Sequence, residues 1–479
     1  MTGLTDAPGV ATSRGAVVAA YAYGLIVTLG IGVFLLGIPI QLTDCYGNML
    51  KLDTPWRQLM IDEFTQRSYL RPFLWAELKL VYDASGGNYF AWFRGTHVAQ
   101  VIALVLLYLG LVRPRTWRDA AIVPFGLAVL VGMHTFTGTV TEAFPINTFL
   151  TVVLCCFAAA NLALAPHRWW VDLLAIALFV VAALTVESGL LVWVILIGAA
   201  LVGARGVSRP ALGGLTALLV GYFVLRFVVL DVGSPGLIER SSGYGFHMLE
   251  PEQLLARFGD NPLGFYDYNV ASSVLSVLFS EPRGGVFRLL YGLSLDDPEP
   301  SAIVNVIAST GATLLVVLYA WRRRGDWRLR RFDRDDRIVL LFVMVLAANA
   351  VISYPYTKDV IVSPAGAFYA AAVFVAARHV LPSRLAVPAW RSAVATAACL
   401  LLASTWGVRA VGQHLNLRES GRKVRSEWAY AEDWFARQGL TIDKPRDVAL
   451  LRHLQRDAIF THPAPPRLPL VDHEIFDVD

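Results

Sequence analysis

The sequence has few charged residues. Only 16% of its 479 residues are Asp, Glu, Lys or Arg, whereas 56% are hydrophobic, and the mean hydropathy is +0.53. Soluble globular domains carry roughly a quarter charged residues, so this composition excludes that class and indicates an integral membrane protein with several spans. The net charge is only +4 and no nucleic-acid-binding motif accompanies it, so we expect no nucleic-acid partner.

Cysteine is also scarce, with four residues in the whole chain. Cys155, Cys156 and Cys399 lie inside apolar runs, where a thiol behaves as a small hydrophobic group, and the fourth falls in a segment that we expect outside the membrane. His97 and His134 stand at the ends of apolar runs without two further ligands beside them. We therefore expect neither a disulfide framework nor a metal site.

Long apolar runs, in contrast, are abundant. Eleven of them approach or reach the roughly 17 to 25 residues that cross a bilayer. They are residues 17–41, 95–112, 119–136, 146–164, 171–186, 189–204, 211–230, 302–321, 337–354, 364–380 and 392–410. The short fifth and sixth runs are joined by Glu187, Ser188 and Gly189. The sequence is compatible there with either a tight hairpin or one broken helix. The first run lacks a preceding cationic region and a cleavage site, which favours a retained span over a signal peptide.

Arginines are concentrated in the loops that follow even-numbered spans. They are Arg113, Arg115 and Arg118, then Arg168, Arg205 and Arg209, then Arg322, Arg323, Arg324, Arg328, Arg330, Arg331 and Arg334, and finally Arg378, Arg384 and Arg391. Loops with excess Lys and Arg stay in the cytoplasm. We therefore expect a bacterial inner-membrane protein with a cytoplasmic N-terminus and an external C-terminus.

Three segments on the predicted external side are too long to be simple connections. Residues 42–94 include helical stretches at 56–67 and 69–82 that are amphipathic enough to lie in the membrane interface. Residues 231–301 form a large loop, and residues 411–479 form a short tail. The sequence thus predicts an all-α membrane protein, with residues 1–410 as its transmembrane domain.

Ionisable residues stand at the ends of several apolar runs, all on the predicted external side. They are Asp44, Glu142, Glu187, Arg226 and Lys358. Charged groups at the margin of a bilayer are costly to keep there. Their placement on one face favours a reaction site at the boundary between membrane and water.

Six short patterns follow one another along residues 20–380. They are Thr43-Asp44-Cys45-Tyr46 after the first span, Tyr69-Leu70-Arg71-Pro72-Phe73, His134-Thr135 through Thr141-Glu142-Ala143, Leu184 through Gly189, Tyr222 through Arg226, and Lys358 through Gly366. In this order they resemble motifs of GT-C glycosyltransferases, and within them the tetratricopeptide-containing O-mannosyltransferases and their bacterial relatives. The resemblance implies a GT-C-like fold, a polyprenyl-phosphate sugar as donor, and a glycan, lipid or protein as acceptor.

The chemistry of such a transfer needs two kinds of group. A carboxylate must accept the proton of the acceptor hydroxyl, because a hydroxyl is a weak nucleophile at neutral pH. Cationic groups must stabilise the phosphate as it leaves. The resemblance assigns the first role to Asp44, supported by Glu142, and the second to Arg226 and Lys358. We expect the transfer to be inverting, without a metal or other cofactor.

Arg71 is a further candidate for phosphate binding, and Glu187, Asp62 and Glu63 are further candidates for the site. Each has a simpler interpretation. Arg71 could face lipid phosphates, and Glu187 could make a structural hydrogen bond. Asp62 and Glu63 lie in mid-helix, where a solvated face is more typical. Arg226 could extend from its helix to the interface.

Two other functions compete with sugar transfer. A transporter or flippase for lipid-linked saccharides would use the same cations without a base, although the chain shows no repeat and its charged groups lie at one edge. A catalytically silent scaffold is the other alternative, because Cys45, Val186 and Thr357 replace charged residues of the family pattern and no tetratricopeptide array follows residue 410.

Overall fold

The computed structural model describes residues 12–65, 70–136, 148–231, 251–259, 263–279, 286–354, 359–380, 389–431, 433, 435 and 445–460. Every regular element within these ranges is helical, and none is a strand. The all-helical prediction is therefore confirmed for the described residues. The GT-C arrangement of the helices stays a prediction.

Each of the eleven predicted apolar segments overlaps a helix along most of its described length. These helices are α1 (Arg14–Leu35), α5 (Tyr89–Val112), α6 (Trp117–Gly132), α7 (Thr148–Ala163), α8 (Trp169–Ala183), α9 (Leu191–Leu201), α10 (Arg209–Phe223), α14 (Pro300–Arg328), α15 (Arg334–Ile352), α16 (Ser363–Val380) and α17 (Ala389–Ala429). The predicted external segments contribute α2 (Thr43–Leu52), α3 (Trp56–Thr65), α4 (Pro72–Ser85), α11 (Pro251–Phe258), α12 (Leu263–Phe279), α13 (Val286–Ser294) and α18 (Pro445–Phe460).

Four helical segments of the described part are long and apolar enough to cross a membrane: Arg14–Leu35, Tyr89–Val112, Arg209–Val229 and Pro300–Arg328. Apolar side chains also cover the outside of the bundle, as Ile26 and Leu29 of α1 and Val317 of α14 illustrate with more than half of their surface exposed. Such a surface suits contact with lipid tails. The number of crossings beyond these four stays a prediction.

Helix α16 forms the centre of the bundle. All side chains from Ser363 to Ala377 are buried, as in a helix surrounded by others on every side. Alanines predominate in this stretch, and small side chains let the backbones of neighbouring helices approach closely. Helices α5, α6, α7, α14 and α15 pack around it.

Arginines close one end of the bundle, which we call the basic end. Arg334 donates to the carbonyl oxygens of Leu164 and Leu111 over 2.9 and 3.1 Å. Arg337 donates to Val202 over 3.2 Å, and Arg378 donates to the last carbonyl of α5 over 3.1 Å. The final carbonyls of a helix lack intrahelical partners and carry partial negative charge. The arginines of the predicted cytoplasmic loops therefore also cap α5, α7 and α9.

Backbone contacts at the basic end show in which direction the neighbouring helices run. The amide of Ser13 donates to Arg115 over 2.9 Å, so α1 begins where α5 ends. The amide of Ser208 donates to Asp172 over 2.9 Å, so α8 begins beside the loop that follows α9. Helices α8 and α9 are therefore antiparallel, and the fifth and sixth segments form a tight hairpin rather than one broken helix. Its turn lies at the other end of the bundle, which we call the site end.

Helix α17 is much longer than the predicted eleventh span. Its 41 residues correspond to a length of about 60 Å. The sequence-based boundary between residues 410 and 411 falls inside this helix. Helix α18 packs against it.

Candidate functional site

Three of the predicted site residues meet at the site end of the bundle. Glu187 pairs with Arg71 through one carboxylate oxygen, 2.6 Å from a guanidinium nitrogen, and with Arg226 through the other, at 3.0 Å. The three residues are far apart in sequence and belong to different elements. We call this group the arginine–glutamate cluster.

Arg71 stands directly before α4, whose first residue is Pro72. Proline suits the first helical position because its missing N–H would have no intrahelical partner there. The amide of Phe73 donates to the carbonyl oxygen of Leu184 over 3.1 Å. This backbone bond attaches the start of α4 to the α8–α9 turn, and so brings Arg71 beside Glu187.

Glu187 begins a single 3₁₀ turn, Glu187–Leu190, that leads into α9. Gly189 in this turn lies against the last turn of α8, where an added Cβ atom would overlap the carbonyl oxygen of Ala182. Only glycine permits this approach of the two backbones. The tightness of the hairpin therefore fixes the position of the Glu187 carboxylate.

Arg226 lies in a π-helical turn, Val224–Val229, that continues α10. Such turns are rare in proteins, and those that occur often lie at functional sites. Its guanidinium donates to the Tyr222 hydroxyl over 2.7 Å and lies over the Phe227 ring, 5.4 Å from its centroid. The Arg226 side chain is only 5% exposed. This guanidinium is thus held in place at the site end by contacts within the protein.

Arg71 and Arg226 share the carboxylate of Glu187, so these three residues alone carry a charge of +1. The carboxyl of Glu63, which accepts from the amide of Arg71, is a second acidic group beside them. Buried charges and polar groups need partners. Among the described residues, the Nε atom of Arg226 and the hydroxyl of Ser188 are buried without a hydrogen-bond partner. These two donors are available to a further anion.

Glu63 extends the cluster. It is half-buried and accepts a hydrogen bond from the amide of Arg71 over 2.5 Å. Burial raises the pKa of Glu63, and the amide and charge of Arg71 oppose that shift. Glu63 therefore does not lie on a fully solvated helix face, which was the simpler interpretation of its sequence position. Asp62 accepts from the side chain of Gln58 over 2.6 Å at the exposed side of α3.

The remaining predicted residues are less fully described. Asp44 lies in the first turn of α2, but its side chain is outside the described part of the structure. Glu142 and Lys358 also fall outside the described residues. Whether these three groups meet the arginine–glutamate cluster therefore stays a prediction.

A contact between a histidine and a carboxylate near these segments was not expected from the sequence. Nε2 of His134 lies 3.6 Å from a carboxylate oxygen of Asp359. His134 follows α6 and begins the motif that contains Glu142, and Asp359 directly follows Lys358. The pair joins two of the motifs at the site end. We had interpreted His134 as an isolated histidine, and no local pattern pointed to Asp359.

A cavity of about 360 Å³ lies at the same end, between α2, the α4–α5 connection and α18. Tyr82, Tyr89 and His453 are among its lining residues. The two tyrosine rings stack at a centroid distance of 4.9 Å. The arginine–glutamate cluster does not line this cavity.

Comparison with known proteins gives no match: no protein-family model fits the chain, and neither a curated protein nor a solved structure is significantly similar to it. Two guanidiniums held in place at the end of a bundle of apolar helices suit an anionic head group attached to a lipid tail.

Proposed function

We propose that this protein is a membrane glycosyltransferase that transfers a sugar from a polyprenyl-phosphate donor to an acceptor on the non-cytoplasmic face. The observation that carries the proposal is the convergence of Arg71 and Arg226 on Glu187 at the site end. Two guanidiniums are well suited to a phosphate because each can donate two parallel hydrogen bonds. The resemblance of the motifs to GT-C enzymes supplies the reaction.

In the proposed reaction the Asp44 carboxylate takes the proton of the acceptor hydroxyl. The hydroxyl oxygen then attacks the anomeric carbon of the sugar and forms the new glycosidic bond. The bond between that carbon and the phosphate oxygen breaks, and its electron pair leaves with polyprenyl phosphate. Arg71, Arg226 and Lys358 stabilise the charge that develops on the phosphate, and Glu142 supports Asp44.

The location at the bundle end fits a lipid-linked donor. The polyprenyl tail stays in the hydrocarbon, whereas the sugar and the phosphate reach water. A cationic group at this depth meets the phosphate without moving the tail out of the membrane. The partners of the reaction are then the polyprenyl-phosphate sugar, the surrounding lipids and a glycan, lipid or protein acceptor.

Formation of free polyprenyl phosphate is the readout that tests the proposal, because it does not require the acceptor to be known. Membrane vesicles that contain the protein are supplied with a panel of radiolabelled polyprenyl-phosphate sugars. We expect Arg226→Gln to reduce release of polyprenyl phosphate by about 100-fold or more, as for loss of a group that stabilises developing charge.

Arg323→Gln is the matched control. Arg323 also pairs with a buried carboxylate, that of Asp336 at 2.7 Å, but it lies at the basic end. We expect this variant to lose stability without losing activity per folded molecule. Movement of the intact donor across the membrane without release of polyprenyl phosphate would instead support a flippase, and equal effects of the two variants would refute the proposed role of Arg226.

A further inference from the structure

The connection between α1 and α2 is held by side chains from distant parts of the chain. Four successive carbonyl oxygens of this connection accept hydrogen bonds from side chains of α5 and α17. The bonds run from Arg425 to Gly37 at 3.0 Å, from Arg94 to Ile38 at 2.6 Å and to Pro39 at 2.7 Å, and from Trp428 to Ile40 at 2.5 Å. The carboxylate of Glu427 accepts a fifth bond, from the amide of Leu42. We call Glu427 and Trp428 the α17 clamp.

Glu427 of the clamp is half-buried, and the surroundings of Trp428 are fully enclosed. Trp428 is fully buried, and Ile40 and Leu42 beside it are 4% and 0% exposed. Helix α17 approaches closely enough that a Cβ atom at Gly421 would lie 3.0 Å from the carbonyl oxygen of Gly37. A buried backbone group that loses its partner costs more than the bond itself contributes. The connection therefore has little freedom to adopt another path.

The clamp acts at the start of α2. Leu42 is the N-cap residue of this helix, and its side chain makes no capping hydrogen bond. The Glu427 carboxylate of α17 accepts from the amide of Leu42, and a negative charge interacts favourably with a helix N-terminus. Burial raises the pKa of Glu427 to about 7, so the group is partly protonated near neutral pH. A protonated carboxyl keeps an oxygen that can accept from Leu42.

Helix α18 reinforces the same contact. Its Gln455 donates to the carbonyl oxygen of Trp428 over 3.0 Å. The hydroxyl of Tyr46 in α2 donates to the carbonyl oxygen of Asp447 over 2.7 Å. The two C-terminal helices therefore hold the first turns of α2 from two sides.

We infer that Glu427 and Trp428 are positioning residues that fix the start of α2, and with it the backbone of Asp44. This inference rests on the proposed function, in which Asp44 is the base. A small displacement of a catalytic group lowers the rate of the chemical step more than it alters the binding of a substrate held elsewhere. The donor phosphate is assigned to Arg71 and Arg226, which lie on other elements.

The test uses two substitutions in the full-length protein. Trp428→Phe keeps an aromatic ring but removes the N–H donor, and Glu427→Leu removes the acceptor. We expect kcat for release of polyprenyl phosphate to fall by about 10-fold or more, while KM for the donor changes by less than about twofold. Glu427→Gln keeps an acceptor oxygen and should retain most of the wild-type kcat.

Glu419→Gln is the matched control on the same helix. Its carboxylate pairs with Arg422 at the surface, and both side chains are about half exposed. We expect this variant to match the wild type. Equal kcat in all variants, or a parallel rise of KM for the donor, would overturn the positioning role.

Hydrogen exchange at residues 36–46 separates this inference from the proposed function. We expect Trp428→Phe and Glu427→Leu to speed exchange of these amides, with α7 and α16 unchanged. Unchanged exchange at residues 36–46 overturns the clamp. Absence of transfer by the wild type, together with faster exchange in the variants, would instead refute the proposed function and leave the clamp in place.

Discussion

Replacement of Glu187 by Gln distinguishes a phosphate site from a purely structural ion cluster. The change removes the only negative charge between Arg71 and Arg226 and keeps the shape of the side chain. At an effective dielectric constant of about 20, two opposite charges at 4 Å attract by about 4 kcal/mol before the cost of desolvation is subtracted. Arg226 is 5% exposed, whereas Glu187 and Arg71 are 25% and 27% exposed, so water screens part of this attraction. We expect Glu187→Gln to lower the free energy of unfolding by about 2–3 kcal/mol.

The same substitution should strengthen the binding of phosphate. A phosphate that contacts both guanidiniums would lie roughly 6 Å from the Glu187 carboxylate, where repulsion at the same dielectric constant is about 2–3 kcal/mol. Its removal predicts that polyprenyl phosphate binds about 30- to 150-fold more tightly. Product release then slows, and kcat falls.

Two measurements on the purified protein in detergent check this prediction. Tm without ligand reports the loss of stability, and titration with a short-chain polyprenyl phosphate reports affinity through the rise of Tm. Asp336→Asn is the control, because Asp336 also accepts from an arginine, Arg323, through both oxygens. It should lower Tm without changing affinity. A Glu187→Gln variant with lower Tm and unchanged affinity would refute the phosphate site and leave a structural cluster.

Three further predictions concern single residues. Tyr222→Phe removes the hydroxyl that accepts from Arg226 at 2.7 Å, and should lower the free energy of unfolding by about 1 kcal/mol. It should also weaken binding of polyprenyl phosphate by up to about fivefold in the same titration. Unchanged binding would contradict this prediction. Burial raises the pKa of Glu77 from 4.5 to about 7, so the folded protein holds a proton that the unfolded chain releases, and the free energy of unfolding falls as pH rises through this interval. Glu427, whose pKa burial also raises to about 7, contributes to the same fall, so Glu77→Gln should reduce it and raise Tm at about pH 8 but not at about pH 4. A variant whose Tm falls as steeply as that of the wild type would contradict this prediction. Gly189→Ala places a methyl group against the carbonyl oxygen of Ala182 and should lower the free energy of unfolding by about 1–3 kcal/mol in a denaturant titration, whereas a stable variant would show that the hairpin turn can relax.

The sequence predicted the helices well because their signal is local. Each apolar run was long enough to be recognised by itself, and the two predicted interfacial stretches correspond to α3 and α4. Arginine placement indicated which loops share one side. It did not reveal that Arg334 and Arg337 cap helix ends, because the carbonyl oxygens of Leu164 and Val202 become neighbours only in the folded bundle.

The candidate site was predictable in part for the same reason. Glu187 and Arg226 stand out in the sequence as charged residues beside apolar runs, and Arg71 lies in one of the six short motifs. The structure brings the three together. The burial of Glu63 was missed, since it depends on a contact with the amide of Arg71, eight positions further along the chain. The α17 clamp was also missed. Trp428 and Ile40 are 388 positions apart, and nothing in one sequence links an indole to a backbone carbonyl at that separation.

The account depends most directly on sugar transfer with Asp44 as the base. The decisive measurement compares wild-type protein and Asp44→Asn in vesicles supplied with polyprenyl-phosphate sugars, with release of polyprenyl phosphate and binding of the donor recorded on the same preparations. We predict that Asp44→Asn binds the donor as the wild type does and releases polyprenyl phosphate at least about 100-fold more slowly, as expected when a general base is lost. Equal rates of release by the two proteins would contradict the account.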